Sequence, residues 1–320
     1  MADLPGALQA ALDALASEAD ERLLSRDARA LSEAYRERTG TGARLLTRPS
    51  EAVAYAISRM PATYAAVHAA LAHAMRASGC EVRTLLDCGA GTGAASWAAD
   101  ALLAPEEVTC LEREAAMQDV GRRLMRAGGE ALRGARWAAW DALDAQPLPQ
   151  ADLVIEGYML GELPQNAREA VAVHLWEAAR EMLLLVEPGT PQGFHNLAMV
   201  RRALMARGAH VAAPCPQGAG ECPMRGEDWC HFAVRVQRTR LHRLLKGGEA
   251  PFEDEKFAYL ALTRTPAQSP CGARVLRHPQ IAPGRIALTL CEEGEKRERV
   301  VTKKDPLWKR ARKLGAGDAF

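Results

Sequence analysis

The stretch TLLDCGAGTGAAS, residues 84–96, decides the fold. A short apolar run ends at Asp87 and Cys88. Gly89, Gly91 and Gly93 follow, and an alanine-rich helical pattern opens directly after them. Glycines let a chain turn tightly and let a ligand approach the backbone, and the first turn of a helix offers unpaired N–H groups. The spacing Gly-x-Gly-x-Gly is neither the G-x-G-x-x-G dinucleotide fingerprint nor a phosphate loop ending in Gly-Lys-Ser/Thr.

Working outward, apolar runs alternate with helical stretches. VRTLLDCGAG (82–91), EVTCLERE (107–114), ADLVIEGYML (151–160), EMLLLVEPG (181–189) and GAHVAAPCP (208–216) read as strands. GAASWAADALL (93–103), AAMQDVGRRLMRAG (115–128) and NAREAVAVHLWEAAR (166–180) lie between them with helical periodicity. Such alternation predicts an α/β, Rossmann-like fold with a mostly parallel sheet covered on both faces. Residues 1–80 read as helical, with Ser50 as an expected cap and a break at Pro61. Near the C-terminus ARVLRHP, RIALTLC and KRERVVTKK are separated by Gly and Pro and predict a small β unit. The expected division is a helical N-terminal region at 1–80, a central domain at 81–265 with a Cys-rich insertion at 213–232, and a β unit with a basic tail at 266–320.

Acids fall at telling places around the glycine loop. Asp87 precedes Gly89 by two residues, and Glu112 ends the next strand, 25 residues after Asp87. A carboxylate there can accept both ribose hydroxyls of a nucleoside. Asp141, in WAAWDAL, falls where the third strand is expected to end and could face an adenine amino group. This set resembles the S-adenosylmethionine site of class I methyltransferases, which makes Asp87, Gly89, Gly91, Gly93, Glu112 and Asp141 the expected cofactor-binding residues. The other readings are a nicotinamide-type Rossmann domain and a relic that binds nothing. Cys88 and Cys110 lie on or beside these strands and read as core. At the end of the fourth strand the Asn/Asp-Pro-Pro-aromatic run of many nucleic-acid amino-methyltransferases is missing, and neither this strand nor the next ends in a cysteine nucleophile. Glu156 and Tyr158 are the weak catalytic candidates, as general base or substrate contact, with pocket lining or strand capping as the alternative.

The bulk numbers set the setting. The chain has 320 residues, 48% hydrophobic and 25% charged, with a net charge of +1. Its apolar runs are shorter than the roughly 20 residues of a membrane span, and its first residues lack the basic start and apolar stretch of a signal peptide. A cytoplasmic protein is expected, where cysteines serve as metal ligands, nucleophiles or core. Two segments are basic. Lys296–Lys313 has nine Lys/Arg against Glu298 and Asp305, and Arg235–Lys246 has no acid. Both read as phosphate-backbone contacts or as solvated helix faces.

Cys215, Cys222 and Cys230 crowd one Pro- and Gly-rich loop with the spacing C-x6-C-x7-C. This is not the C-x2-4-C knuckle of structural zinc sites. Pro216 and Pro223 each follow a cysteine, a step also found in iron–sulfur motifs. Zinc and a cubane cluster both want four ligands, and the candidates for the fourth are Cys291, Cys271, His231 and His210.

Several stretches resemble the mitochondrial and bacterial ribosomal small-subunit methyltransferase-like family: RMPATYAAV (59–67), LLDCGAGTGAASWAA (85–99), YMLGELP (158–164), LVEPGTPQGF (185–194), DWCHFAVRVQR (228–238), FEDEKFAYLAL (252–262) and RVVTKK (299–304). The resemblance covers nearly the whole chain after about residue 45. It implies association with the small ribosomal subunit and its RNA. It also implies a four-iron–four-sulfur cluster on Cys215, Cys222, Cys230 and Cys291, with zinc as the alternative, and leaves Cys271 out. Thr92 stands where the family pattern has Pro, Gln217 where it has His, and the end LGAGDAF lacks an expected Trp. The expected protein is an S-adenosylmethionine-binding rRNA methyltransferase or assembly factor, monomeric apart from the ribosome. The alternatives are a non-catalytic RNA-binding module and a small-molecule methyltransferase. Trp229, Phe232 and Trp308 read as base-stacking or packing residues, and a basic helix is expected after Cys230.

Overall fold

A computed structural model describes residues 3–38, 40–44, 46, 48–144, 146–216, 220–238, 242–243, 245 and 250–320. Gln217 and part of the basic 235–246 segment lie outside the described residues.

Four helices open the chain: α1 (Gly6–Ser17), α2 (Glu21–Arg38), α3 (Pro49–Ser58) and α4 (Met60–Ser78). The start of α3 is fixed by Glu51 rather than by Ser50. Its carboxylate accepts from the Arg48 N–H at 3.1 Å and from the Arg48 guanidinium at 2.9 Å. Pro61 sits in the first turn of α4, where its missing N–H costs nothing, so the expected break separates two helices. Left-handed Gly79 then ends α4.

An eight-stranded sheet follows. Its strands are β1 (Thr84–Cys88), β2 (Glu107–Leu111), β3 (Arg136–Ala138), β4 (Ala151–Gly157), β5 (Ala179–Pro188), β6 (His210–Ala213), β7 (Phe232–Gln237) and β8 (Phe252–Thr263). The order is β3-β2-β1-β4-β5-β8-β6, parallel from β3 to β5, with β8 inserted antiparallel beside β5. The central strands are covered on both faces, so they are near-continuous apolar runs: Leu153, Val154 and Ile155 of β4 and Met182–Val186 of β5 have at most 0% exposure. On one face pack α1, α3, α4, α5 (Ala94–Leu103) and α6 (Ala115–Met125). On the other pack α8 (Arg168–Ala178) and α9 (Pro191–Met205). A short α7 (Glu130–Arg133) leads into β3. Each such large apolar side chain contributes about 1.5–3 kcal/mol on burial.

β8 is long enough to carry two partners along its outer edge. β6 pairs with its last residues and β7 with its first, Phe232 opposite Phe257 and Gln237 opposite Phe252. The Cys-rich segment between β6 and β7 is an excursion from that edge. The stretch expected as a basic helix therefore begins as a strand. β-Branched and aromatic residues at Phe232, Val234 and Val236 suit a ladder, and its cations are neutralised across it. Arg235 pairs with Asp254 at 2.8 Å and Arg238 with Glu253 at 2.5 Å. Phe232 is buried against Phe257 and Tyr259, which makes it core and not a base-stacking surface.

A second sheet closes the chain: β9 (Ala273–Val275), β10 (Gln280–Ala282), β11 (Arg285–Glu292) and β12 (Glu295–Thr302), with a short α10 (Trp308–Ala311). β11 pairs with all three other strands. Its inward residues Ile286, Leu288 and Leu290 make a small core with Val275, Val301 and Ala311, against which Trp308 packs.

Candidate functional site

The chain passes from β1 to β2 in one direction across the sheet and from β3 to β4 in the other. That leaves a crevice at the carboxyl ends of β1 and β4. A cleft of about 730 Å³, counting its open mouth, lies there. Its walls include Gly89 and Gly91, Glu112 to Glu114, Trp140 and Asp141, Gly157 to Met159, and Tyr55.

The three glycines serve three purposes. Gly89 has φ +71, and a Cβ there would meet Met159 Sδ at 2.8 Å. Gly93 has φ +88 and forms the left-handed start of α5, where a Cβ would lie 2.5 Å from Met125 Cε. Gly91 has φ +55 and faces the cleft, with Tyr55 Cε1 the nearest atom at 3.9 Å. Gly93 does not line the cleft, so its work is the turn and the packing.

The carboxylates divide in the same way. Glu112 lines the cleft, 7% exposed. Its Oε2 accepts from Gly91 N–H and its Oε1 from Glu114 N–H, both at 2.8 Å. Burial raises its pKa, while these two bonds hold it down. Each carboxylate oxygen has two acceptor sites, so Glu112 keeps capacity toward a ligand. Asp87 does not line the cleft. It lies under the loop, where Oδ2 accepts from Ser96 N–H at 3.0 Å and Ser96 Oγ at 2.7 Å and ties β1 to the first turn of α5. Burial pushes it up to about 6 against those bonds. β3 ends at Ala138, three residues before Asp141, which sits in the following loop and still lines the cleft. Its Oδ1 accepts from Leu143 N–H at 3.0 Å.

The two catalytic candidates also separate. Glu156 is fully buried behind the cleft. Its Oε1 accepts from Met159 N–H at 2.6 Å and Leu160 N–H at 3.0 Å, which caps the turn after β4. It touches no ligand space, and the strand-capping alternative describes its position. Burial first, and then the neighbouring Glu187, raise its pKa well above the carboxylate range. Glu187 accepts from Asn196 Nδ2 at 3.1 Å and is pushed up to about 7, again by burial first. Tyr158 does line the cleft, held at φ +66. Its hydroxyl donates to Glu255 Oε1 at 2.9 Å, and burial and that carboxylate raise its pKa.

Sequence reasoning missed Tyr55, Arg113 and Trp140 in the cleft. Arg113 donates to Gly42 O at 3.0 Å and Ala43 O at 2.9 Å, which ties the chain before α3 to the cleft rim. No pattern in the sequence marks that long-range clasp.

A second cavity, about 1950 Å³ measured in the same way, lies between the Cys-rich excursion and the second sheet. Cys215, Cys222, Cys230 and Cys291 all line it, the last from β11. Burial pushes Cys230 up, and the neighbouring Cys215, Cys222 and Cys291 push it further. Burial likewise pushes Cys291 up to about 12, with Cys215 and Cys222 adding to it. Among the described residues, no three His, Cys, Asp or Glu side chains are gathered tightly enough to hold a metal ion. His210 and His231 do not line this cavity. Arg277 and Lys296 of the second sheet both reach Asp228 of the excursion, at 2.5 and 2.6 Å, and hold the two pieces together. Trp229 donates to Gly189 O at 3.1 Å and stacks on His231.

Comparison with known proteins shows the family. A family model described as mitochondrial small ribosomal subunit Rsm22 matches residues 49–320. The human ribosome assembly protein METTL17, mitochondrial, is 29% identical over 269 residues, 78% of this chain. The chain spans 57% of that relative's length. Magnesium protoporphyrin IX methyltransferase from Synechocystis PCC 6803, solved with bound SAM, is 17% identical over 77% of this chain and 98% of its own, with a TM-score of 0.40. Precorrin-6y C5,15-methyltransferase from Geobacter metallireducens is 18% identical over 61% of this chain and 85% of its own, with a TM-score of 0.38. The fold itself rests on the strand order and the antiparallel β8. Among the described residues, no helix is long and apolar enough to cross a membrane.

Proposed function

The chain belongs to the mitochondrial small ribosomal subunit Rsm22 family, and on that premise we propose that it is an S-adenosylmethionine-binding assembly factor of the small ribosomal subunit. The observation that carries the cofactor is the pairing of Gly91 with Glu112. A buried carboxylate at the end of β2 is locked to the glycine loop and still faces the cleft. That arrangement suits a ribose diol, with Asp141 beyond it for a base amino group and Tyr55 and Met117 as apolar walls. The division at 81–265 and 266–320 assigns the cofactor to the first part and a share of the thiol cavity to the second.

A four-iron–four-sulfur cluster on the four cysteines is part of this proposal. Three thiols from the excursion and one from β11 line one cavity, which is roomier than a single ion needs. When bound, the cluster would act as a covalent staple, and its binding free energy would be folding free energy for this junction. Cys215, Cys222 and Cys230 would hold it from the excursion and Cys291 from β11.

Assembly, rather than methyl transfer, is the reading the cleft supports best. Glu156 does not reach the ligand space, and the hydroxyl of Tyr158 is already given to Glu255. Transfer to small-subunit rRNA with Tyr158 as a substrate contact is the second reading, favoured by its strained position at the strand end. The relative is named for mitochondria; here the compartment is whichever holds the small subunit. The test is anaerobic purification with iron, sulfide and zinc analysis, calorimetry with S-adenosylmethionine, and sedimentation with small subunits, on wild type and Cys222→Ser. Iron and sulfide near four each, lost in the variant, together with cofactor binding and co-sedimentation, are expected. Absence of co-sedimentation would overturn the ribosomal role.

A further inference from the structure

Arg274 is 5% exposed, at the wall of the thiol cavity. Its Nε donates to Pro214 O and its Nη1 to Gly317 O, both at 2.9 Å. The titratable groups around it are Tyr259, Cys271, Cys230, Cys215, Cys291 and His73. Among the described residues it forms no ion pair with a carboxylate. The two acids at the cavity wall are engaged by other cations: Glu221 by Arg225 at 2.9 Å, and Asp228 by Arg277 and Lys296. A second guanidinium, Arg201, sits beside Cys215.

A buried guanidinium that meets carbonyls and thiols but no carboxylate is only partly compensated for the loss of water around its charge. The fold tolerates this when an anion completes the site. We propose that Arg274 is the built-in counter-cation of an anionic metal–thiolate centre on Cys215, Cys222, Cys230 and Cys291. Four cysteine thiolates outweigh the charge of a zinc ion or a cubane core, so either centre leaves net negative charge here. The register supports the pairing, since Arg274 of β9 lies directly opposite Cys291 of β11. Arg274 would bind the centre more tightly and, for an iron–sulfur cluster, favour the form carrying one more electron. This inference rests on the metal centre proposed above.

The test uses the full chain as wild type, Arg274→Gln and Arg274→Lys, purified anaerobically. Metal content, the rate of metal loss to a chelator and the midpoint potential in a dithionite titration are measured. Arg274→Lys is expected to stay near wild type. Arg274→Gln is expected to lose metal at least several-fold faster and to shift the one-electron equilibrium about tenfold toward the oxidised form, about 59 mV lower in potential. If wild type holds zinc, the chelator rate alone decides, in the same direction. Arg274→Gln with wild-type content, rate and potential would overturn the inference and leave the metal centre standing. Wild type without metal would remove the centre and the inference with it. Should Arg274→Gln not fold, Arg201→Gln keeps the bonds to Pro214 and Gly317 and carries the same expectation and the same refutation.

Discussion

The backbone N–H of Gly91 donates to Glu112 Oε2 at 2.8 Å, so the loop after β1 and the end of β2 move as one piece. Glu112→Gln leaves one acceptor but turns an amide NH₂ toward a backbone N–H, because both carboxylate oxygens already accept. We expect S-adenosylmethionine binding to weaken at least tenfold, about 1.4 kcal/mol. Calorimetry on the variant decides, and an unchanged Kd would remove Glu112 from the cofactor site.

Gly91 and Gly93 separate binding from stability. Alanine at Gly93 must accept φ +88 and displace Met125, which is 1% exposed. We expect a loss of about 1–3 kcal/mol from strain and overpacking. Alanine at Gly91 meets only Tyr55 Cε1, at 3.9 Å, and costs about 1–2 kcal/mol for its left-handed backbone, yet its methyl intrudes where the cofactor would sit. Thermal melts should rank Gly93→Ala as the less stable variant, and cofactor titration should rank Gly91→Ala as the weaker binder. The reverse ranking would contradict the placement of the two glycines.

These contrasts show what the sequence made legible. Glycine loop, Glu112 and the strands that alternate with helices were readable because turn glycines and short continuous apolar runs leave local marks. Gly93 and Asp87 carry the same motif letters but face α6 and Ser96, and only three-dimensional packing assigns them away from the cleft. The fate of the basic segment after Cys230 was not readable either. Whether Arg235 sits on a helix or a strand depends on the ladder with β8, a segment distant in sequence, where it lies opposite Asp254. The convergence of Cys291 on the excursion depends on the register of β11 and could be named only through family resemblance.

Glu156 and Glu187 make stability fall as pH rises. Burial holds Glu187 at about 7 in the folded chain, against an ordinary value near 4.5. The folded state therefore binds more protons than the unfolded state between those values, and stability is lost from about pH 4.5 up to about 7. Glu156→Gln keeps an acceptor for Met159 and Leu160 and removes a carboxyl that the fold holds protonated. Its melting temperature should decline less between pH 5 and 8 than that of wild type. Parallel profiles would show that the two carboxyls do not share this penalty.

Asp228 joins the second sheet to the excursion by accepting from Arg277 and Lys296. Burial works to raise its pKa, but the Lys296 hydrogen bond and the Arg277 charge outweigh it and hold the carboxyl below the ordinary range. Its contribution is thus present at neutral pH and lost as pH falls below about 4. Asp228→Asn should cost about 1–2 kcal/mol at pH 7 and speed proteolysis within 266–320. Equal denaturant midpoints for variant and wild type would show that the junction is held by other contacts.

The cations at one end of the second sheet stand apart from those at the other. Arg297 is hemmed by Glu292, Glu293 and Glu295, whereas Lys303, Lys304 and Lys309 are exposed and form no ion pair among the described residues. Only the second set is free to replace counterions on an RNA backbone. Each phosphate contact contributes about 0.7 to the slope of log affinity against log salt for single-stranded RNA. The triple change of Lys303, Lys304 and Lys309 to Ala should therefore flatten that slope by up to about 2 for binding to small subunits. Arg297→Ala should leave it unchanged. Equal slopes for the triple variant and wild type would show that these three lysines make no phosphate contact.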